Sequence, residues 1–248
     1  VPTVTPTPTV TLTPTATPTV TPTPTVTSTP PPVTTATPTI TPTPTSTPTP
    51  TFTPTPVPSP VWITLADTPD RVKHGGALTS DGTDIYAFRG GSKEDFWKYD
   101  VSSGSWSSLA DAPEEVKAGG ALVYADSSIY AFGGGNDDDD DSGDDGAENF
   151  WLYDIGDGTW QDRASTPEKV GWGGALTWDG TDTIYAFRGN NKEDFWKYSR
   201  STDTWTALAD APEKVHKGGS LVYVSGDVYA FRGSNETDFW KFDIGACT

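Results

Sequence analysis

Between residues 61 and 248 the apolar positions come in short bursts separated by Asp, Ser, Gly and Pro, and the bursts recur in a fixed order. Trp62, Trp106, Trp160 and Trp205 each stand 13 residues before a Gly-Gly pair, at Gly75-Gly76, Gly119-Gly120, Gly173-Gly174 and Gly218-Gly219. A Tyr-Ala-Phe triplet follows, beginning at Tyr86, Tyr130, Tyr185 and Tyr229. Phe-Trp comes next, at Phe96, Phe150, Phe195 and Phe239. A proline and a valine lie between each Trp and its Gly-Gly: Pro69 and Val72, Pro113 and Val116, Pro167 and Val170, Pro212 and Val215. Successive copies are spaced by 44, 54 and 45 residues, the second being enlarged by an insertion. Each copy predicts four short strands, which in the first are Gly75–Leu78, Ile85–Phe88 after an Asp81-Gly82 turn, Phe96–Tyr99 and Trp106–Leu109. A unit this small cannot bury a core alone, so the copies must pack on one another, which is the pattern of propeller blades.

The glycine-rich end of the second strand, the Tyr/Trp strand after it and the Trp that opens the fourth resemble kelch repeats across residues 61–248. The resemblance implies an all-β fold, a four-bladed kelch-like β-propeller with four antiparallel strands per blade. It departs from the kelch pattern where the usual Gly-Gly becomes Arg89-Gly90, Arg188-Gly189 and Arg232-Gly233; only Gly133-Gly134 keeps it. Kelch propellers commonly carry more than four blades, which bears on closure. The strand count favours a closed ring. The domain begins with a lone fourth-type segment, Val61–Leu65, and finishes on a third-type strand, Phe239–Asp243. The expectation is that the N-terminal strand completes the last blade and leaves no sheet edge. The alternative is that it completes the last blade of a neighbouring molecule and builds a filament.

Comparison among copies adds a charge pattern. Arg89, Arg188 and Arg232 each precede an acid by six residues, at Asp95, Asp194 and Asp238, whereas the second copy has Gly133 and Asn149. Arginine and aspartate vanish together, which predicts three structural ion pairs across the hairpin, buried between blades. An arginine cluster for an anionic ligand, as in sialidases, is the competing reading.

Residues 1–60 are a different material, with 26 Thr, 19 Pro and no charged residue. They cannot bury enough apolar surface to offset ordering, and proline biases them to an extended polyproline-II rod. Threonine occupies alternate positions: Thr3, Thr5, Thr7, Thr9, Thr11, Thr13, Thr15, Thr17, Thr19, Thr21, Thr23, Thr25, Thr27 and Thr29, then Thr35, Thr37, Thr39, Thr41, Thr43, Thr45, Thr47, Thr49, Thr51, Thr53 and Thr55. On a helix with three residues per turn this sends hydroxyls outward in all directions, which suits a stalk dense with O-linked glycans. A bare spacer is the plainer reading. Residues 1–60 are thus expected to be a stalk and 61–248 a propeller. Asn235-Glu236-Thr237 adds an N-glycosylation sequon at Asn235.

Charge and composition narrow the function. With 34 acidic against 16 basic residues and a net charge of −18, the chain is ill suited to nucleic acid. No apolar run is long enough for a membrane span. The chain lacks Met altogether, so residue 1 is not a translation start, and a removed leader or a longer parent chain is expected. The single Cys247 excludes an intrachain disulfide framework and could link chains or stay a free thiol. In the insertion, Asp138, Asp140 and Ser142 followed by Gly143 match the start of a calcium loop. Asn149 stands where that loop needs a bidentate Glu, so a solvated acidic loop competes with a Ca2+ site; no other cofactor is expected. The loops joining fourth to first strands carry Lys73, His74, Lys117, Trp172, His216 and Lys217. Trp172 among these donors could stack on a sugar or a neighbouring chain, or simply fill the ring centre. The adjacent carboxylates Glu94-Asp95 and Glu193-Asp194 are the nearest thing to acid–base chemistry, and two histidines are too few for the copper centre of some kelch oxidases. The expectation is a non-enzymatic, extracellular surface protein: a fibre or surface-layer subunit whose partners are O-linked glycans and copies of itself, or a displayed head that binds glycan or protein.

Overall fold

The computed structural model describes residues 61–135 and 147–247. The expected stalk, with its threonines, and the Asp138, Asp140 and Ser142 loop lie outside the described residues. Among the described residues fifteen strands form four antiparallel sheets arranged as a four-bladed β-propeller. Blade 1 contains β1 (Ala77–Ser80), β2 (Asp84–Phe88), β3 (Phe96–Asp100) and β4 (Ser105–Ser108). Blade 2 contains β5 (Ala121–Ala125), β6 (Ser128–Phe132), β7 (Phe150–Asp154) and β8 (Thr159–Asp162). Blade 3 contains β9 (Ala175–Trp178), β10 (Thr183–Phe187), β11 (Phe195–Ser199) and β12 (Thr204–Ala207). Blade 4 has only β13 (Ser220–Val224), β14 (Asp227–Phe231) and β15 (Phe239–Asp243), followed by a 3-10 turn, Ile244–Cys247.

Turn chemistry sets the hairpins. Asp81 Oδ1 accepts from the N–H groups of Thr83 and Asp84 at 2.8 and 2.7 Å, closing the β1–β2 turn around Gly82 at φ 91°. Period-2 alternation then gives each blade two apolar faces, and neighbouring blades bury them together. Tyr86, Phe88 and Phe96 of blade 1 pack with Leu122, Ile129, Ala131, Trp151 and Tyr153 of blade 2. Blades 2 and 3 repeat this through Tyr130, Phe132 and Phe150 against Leu176, Ile184, Trp196 and Tyr198, and blades 3 and 4 through Tyr185, Phe187 and Phe195 against Val228 and Ala230. One edge-to-face pair marks each joint: Phe96–Tyr153 at 4.9 Å, Phe150–Tyr198 at 4.8 Å and Phe195–Phe242 at 4.9 Å.

The inner strands pack in the order β1, β5, β9, β13, and among the described residues no comparable packing joins β13 back to β1. The glycines at the inner turns record the same break. A Cβ on Gly75, Gly119 or Gly173 would collide with the backbone of the following blade, at Lys117, Gly171 and His216 respectively, whereas Gly218 faces only its own blade's Gly233 at 3.6 Å. The expected closure by the N-terminal segment is therefore not formed. Residues 61–65 adopt no strand, and Trp62 is fully exposed. The physical reason is that the faces of blades 1 and 4 that would have to meet stay apart, with Leu78 and Phe231 both exposed, while the segment stays with blade 1, where Trp106 Nε1 donates to the Ala66 carbonyl at 3.1 Å.

Candidate functional site: the axial loops and the open blade faces

The fourth-to-first loops reach the axis, and three of the six expected side chains, His74, Trp172 and Lys217, meet there. The Trp172 ring lies 5.5 Å from the His74 ring, and Lys217 Nζ sits 4.5 Å from its centroid in a cation–π contact. These contacts bring loops of blades 1, 3 and 4 together. Lys117 turns instead to Glu115, 3.4 Å away, and the Lys73 stem lies where a Cβ on Gly91 would stand. His216 contributes backbone, donating to the Arg232 carbonyl at 3.3 Å and accepting from Gly219 at 2.8 Å. Trp172 is half-buried between these two side chains, and its buried Nε1 makes no hydrogen bond among the described residues.

The arginines at the ends of the second strands form a repeated clamp. Nη1 of Arg89, Arg188 and Arg232 reaches Asp95, Asp194 and Asp238 at 2.9, 3.0 and 3.0 Å. The same guanidinium donates through Nε to the carbonyls of Arg71, Lys169 and Lys214, at 3.4, 3.0 and 3.1 Å. Nη2 approaches Asp70, Glu168 and Glu213 at 2.7, 3.5 and 4.0 Å. The arginine side chains are 12–21% exposed and their aspartates 33–38%, so the pairs sit at a blade edge rather than buried between faces as expected. The reason is that each arginine also reaches the loop before its own first strand, whose acids Asp70, Glu168 and Glu213 are themselves 50–62% exposed. In blade 2, Asn149 Nδ2 donates to Glu114 at 2.8 Å and takes over that link. Gly133 stands where a Cβ would meet the Trp151 ring at 2.7 Å. The acceptor loop, and the acids at its head, were not evident from the sequence; the aligned spacing of Asp70, Glu114, Glu168 and Glu213 was the available signal.

A second repeated contact went unnoticed in the sequence. The fourth-strand Trp donates through Nε1 to an alanine carbonyl in the preceding link: Trp106 to Ala66, Trp160 to Ala110 and Trp205 to Ala164, at 3.1, 2.9 and 2.8 Å. Its ring also covers the preceding blade, with Trp160 on Phe88 and Phe96 at 5.7 and 5.0 Å and Trp205 on Phe132 and Phe150 at 6.1 and 4.8 Å. The loop valines complete each joint by bridging the preceding hairpin, Lys93 with Val116, Ala147 with Val170 and Lys192 with Val215.

At the two ends of the blade row these surfaces lack counterparts among the described residues. Phe231 and Phe239 are 56% and 61% exposed, whereas Phe88, Phe132, Phe187, Phe96, Phe150 and Phe195 are 0–3% exposed. On the other end Leu78 is 67% exposed against 8% for Leu122, and Val72 is 50% exposed against 0–1% for Val116, Val170 and Val215. A groove of about 570 Å³ runs over this blade 1 end, lined by Leu65, Val72, Leu78, Ala87, Tyr99 and Trp106. Asn235 is exposed in a turn at φ 61° on the β14–β15 hairpin.

No family model matches the chain, and no curated protein matches it. Among solved structures it is similar to one titled "Structure of YjhT", with a TM-score of 0.56, 14% identity and coverage of 71% of this chain and 66% of that one. The chain thus spans slightly less than two-thirds of that protein's length. At this identity the likeness is one of fold.

Proposed function

We propose that the chain is a non-enzymatic structural subunit of an extracellular fibre or surface layer, in which O-glycosylated Thr–Pro stalks link kelch-like propeller heads. The observation that supports this best is the pair of apolar faces at the two ends of the blade row. Each matches a surface that a neighbouring blade covers at the inner joints, and contiguous exposed apolar surface is a mark of association. The two faces differ, so contact between them is head-to-tail, and head-to-tail contacts that do not close on themselves generate filaments. Strict threonine alternation along residues 3–29 and 35–55 supports the glycosylated stalk. A display role, with the head recognising glycan or protein, is favoured by one feature, the unpartnered Nε1 of Trp172 beside Lys217.

Negative-stain imaging of native material separates the two. Regular fibres with a repeat set by the head are expected, and monodisperse lollipops at all concentrations would contradict the structural role. Intact mass tests the stalk: a chain at its unmodified 26.4 kDa would remove the glycans.

A further inference from the structure

Among the described residues blade 4 has no fourth strand, and residues 61–65 are a fourth-strand sequence without a blade. Val61-Trp62-Ile63-Thr64-Leu65-Ala66-Asp67 aligns with Ser105-Trp106-Ser107-Ser108-Leu109-Ala110-Asp111, which supplies β4 and the carbonyl that receives Trp160 Nε1. The vacancy has the right shape and chemistry. A groove of about 180 Å³ on blade 4 is lined by Phe187, Phe195, Ala209, Trp240 and Phe242. These occupy the positions that, around Trp160, belong to Phe88, Phe96, Ala110, Trp151 and Tyr153, all of which contact that Trp. The groove is therefore a tryptophan site built to the same plan as two filled ones, with no tryptophan of its own.

We infer that the Trp62 strand of a second copy of this chain fills this groove and completes blade 4, joining molecules head to tail. The donor must be another copy because the strand is already placed for one. Ala66 is latched to Trp106 as Ala110 is to Trp160, so residues 61–65 stand where the fourth strand of a blade preceding blade 1 belongs. The three-stranded blade of its own chain does not cover that place, since Val72, Leu78, Phe231 and Phe239 are all exposed. Docking a second copy's blade 4 at that place would also cover Leu78 with Phe231 and Phe239. It would further bring Glu236 opposite Val72, the one pair in the Lys93–Val116 series that carries no bridge.

The register of Tyr99 with Trp106 and Lys98 with Ser107 carries over as Phe242 opposite Trp62 and Lys241 opposite Ile63. The inference specifies the joint within the fibre reading, and it is tested with full-length chains carrying Cys247→Ser. Ile63→Cys and Lys241→Cys are made separately; both side chains are exposed in the single molecule, and the second change gives up the Lys241 ion pairs to Asp227 and Asp243 but no apolar packing. On mixing and mild oxidation, a disulfide joining residue 63 of one chain to residue 241 of the other is expected, confirmed by peptide mass. Trp62→Ala in the Ile63→Cys chain is expected to reduce that product at least tenfold with an unchanged circular dichroism spectrum. Absence of the mixed product would overturn the inference, as would a double variant that links only within one chain. Imaging the same samples keeps the two readings apart. Fibres without the 63–241 link would sink this joint and spare the fibre, whereas linked closed rings without fibres would sink the fibre and spare the joint.

Discussion

Arg188 holds three groups at once: the Asp194 carboxylate, the Lys169 carbonyl and the Glu168 carboxylate. Its guanidinium is mostly but not wholly shielded, so its loss removes charge-assisted hydrogen bonds without stranding a fully buried ion. Arg188→Ala should therefore cost about 2 kcal/mol, read as a lower urea midpoint with an unchanged m-value, and an unchanged midpoint would contradict the clamp. Gly133→Ala should cost about 1–3 kcal/mol in the same assay, because the new methyl meets the Trp151 ring. Titration works at this scale as well. Burial, then the hydrogen bond and charge of Asp203, push the Tyr198 phenol well above 10.0, and burial with Asp81 does the same for Tyr86. Burial alone would raise Asp81 and Asp203, but hydrogen bonds from backbone N–H groups and from these tyrosines hold both below 3.8. The tyrosine contribution to stability is present below pH 10.0 and lost as pH rises beyond it; the aspartate contribution is present above 3.8 and lost as pH falls below it. Tyr198→Phe should flatten the alkaline limb of a stability–pH profile, and an undiminished alkaline loss would assign it elsewhere.

The fourth strand is the element whose role divides. In blades 2 and 3 its tryptophan is packed on two phenylalanines of the preceding blade and latched to a carbonyl, so Trp205→Ala should cost about 3–5 kcal/mol of unfolding free energy. Trp62 is the same residue in the same motif, yet it is fully exposed. Trp62→Ala should leave the unfolding midpoint of dilute protein where it was and lower self-association instead, checked by sedimentation. A large loss of stability at low concentration would mean that the strand closes its own ring. The strands themselves were legible in the sequence because the Trp, Gly-Gly, Tyr-Ala-Phe and Phe-Trp marks return at nearly constant spacing; the aromatic marks other than Trp62 fall on the strands expected, while each Gly-Gly stands just ahead of the first strand rather than opening it. Closure was not legible. Counting strands equates a segment of the right type with a strand in place, but pairing depends on whether blades 1 and 4 meet, which is a matter of curvature summed over three inter-blade joints. The arginine partners were legible for the same reason as the strands, through Gly133 and Asn149 changing together, while their degree of burial depended on the loop they also hold. Trp172 shows the reverse limit: its singular place among the copies was visible, but not that His74 and Lys217 would engage it.

For the whole molecule, all of the −18 net charge falls on residues 61–248, so heads that meet end to end do so against mutual repulsion. Raising ionic strength from about 0.01 M to about 0.15 M shortens the screening length from roughly 30 to 8 Å and should promote assembly, measured by light scattering. In the proposed joint apolar faces would drive the contact and salt would relieve the cost. Dissolution of assemblies by added salt would instead indicate a joint made by ion pairs.

Amide hydrogen exchange across a concentration series addresses the end-to-end joint most directly. Residues 61–65 and 239–243 lie at opposite ends of the blade row, and the joint predicts that both gain protection together as concentration rises, while β6 and β10 stay unchanged. Exchange at those two segments that is independent of concentration, whether fast or slow, would contradict it.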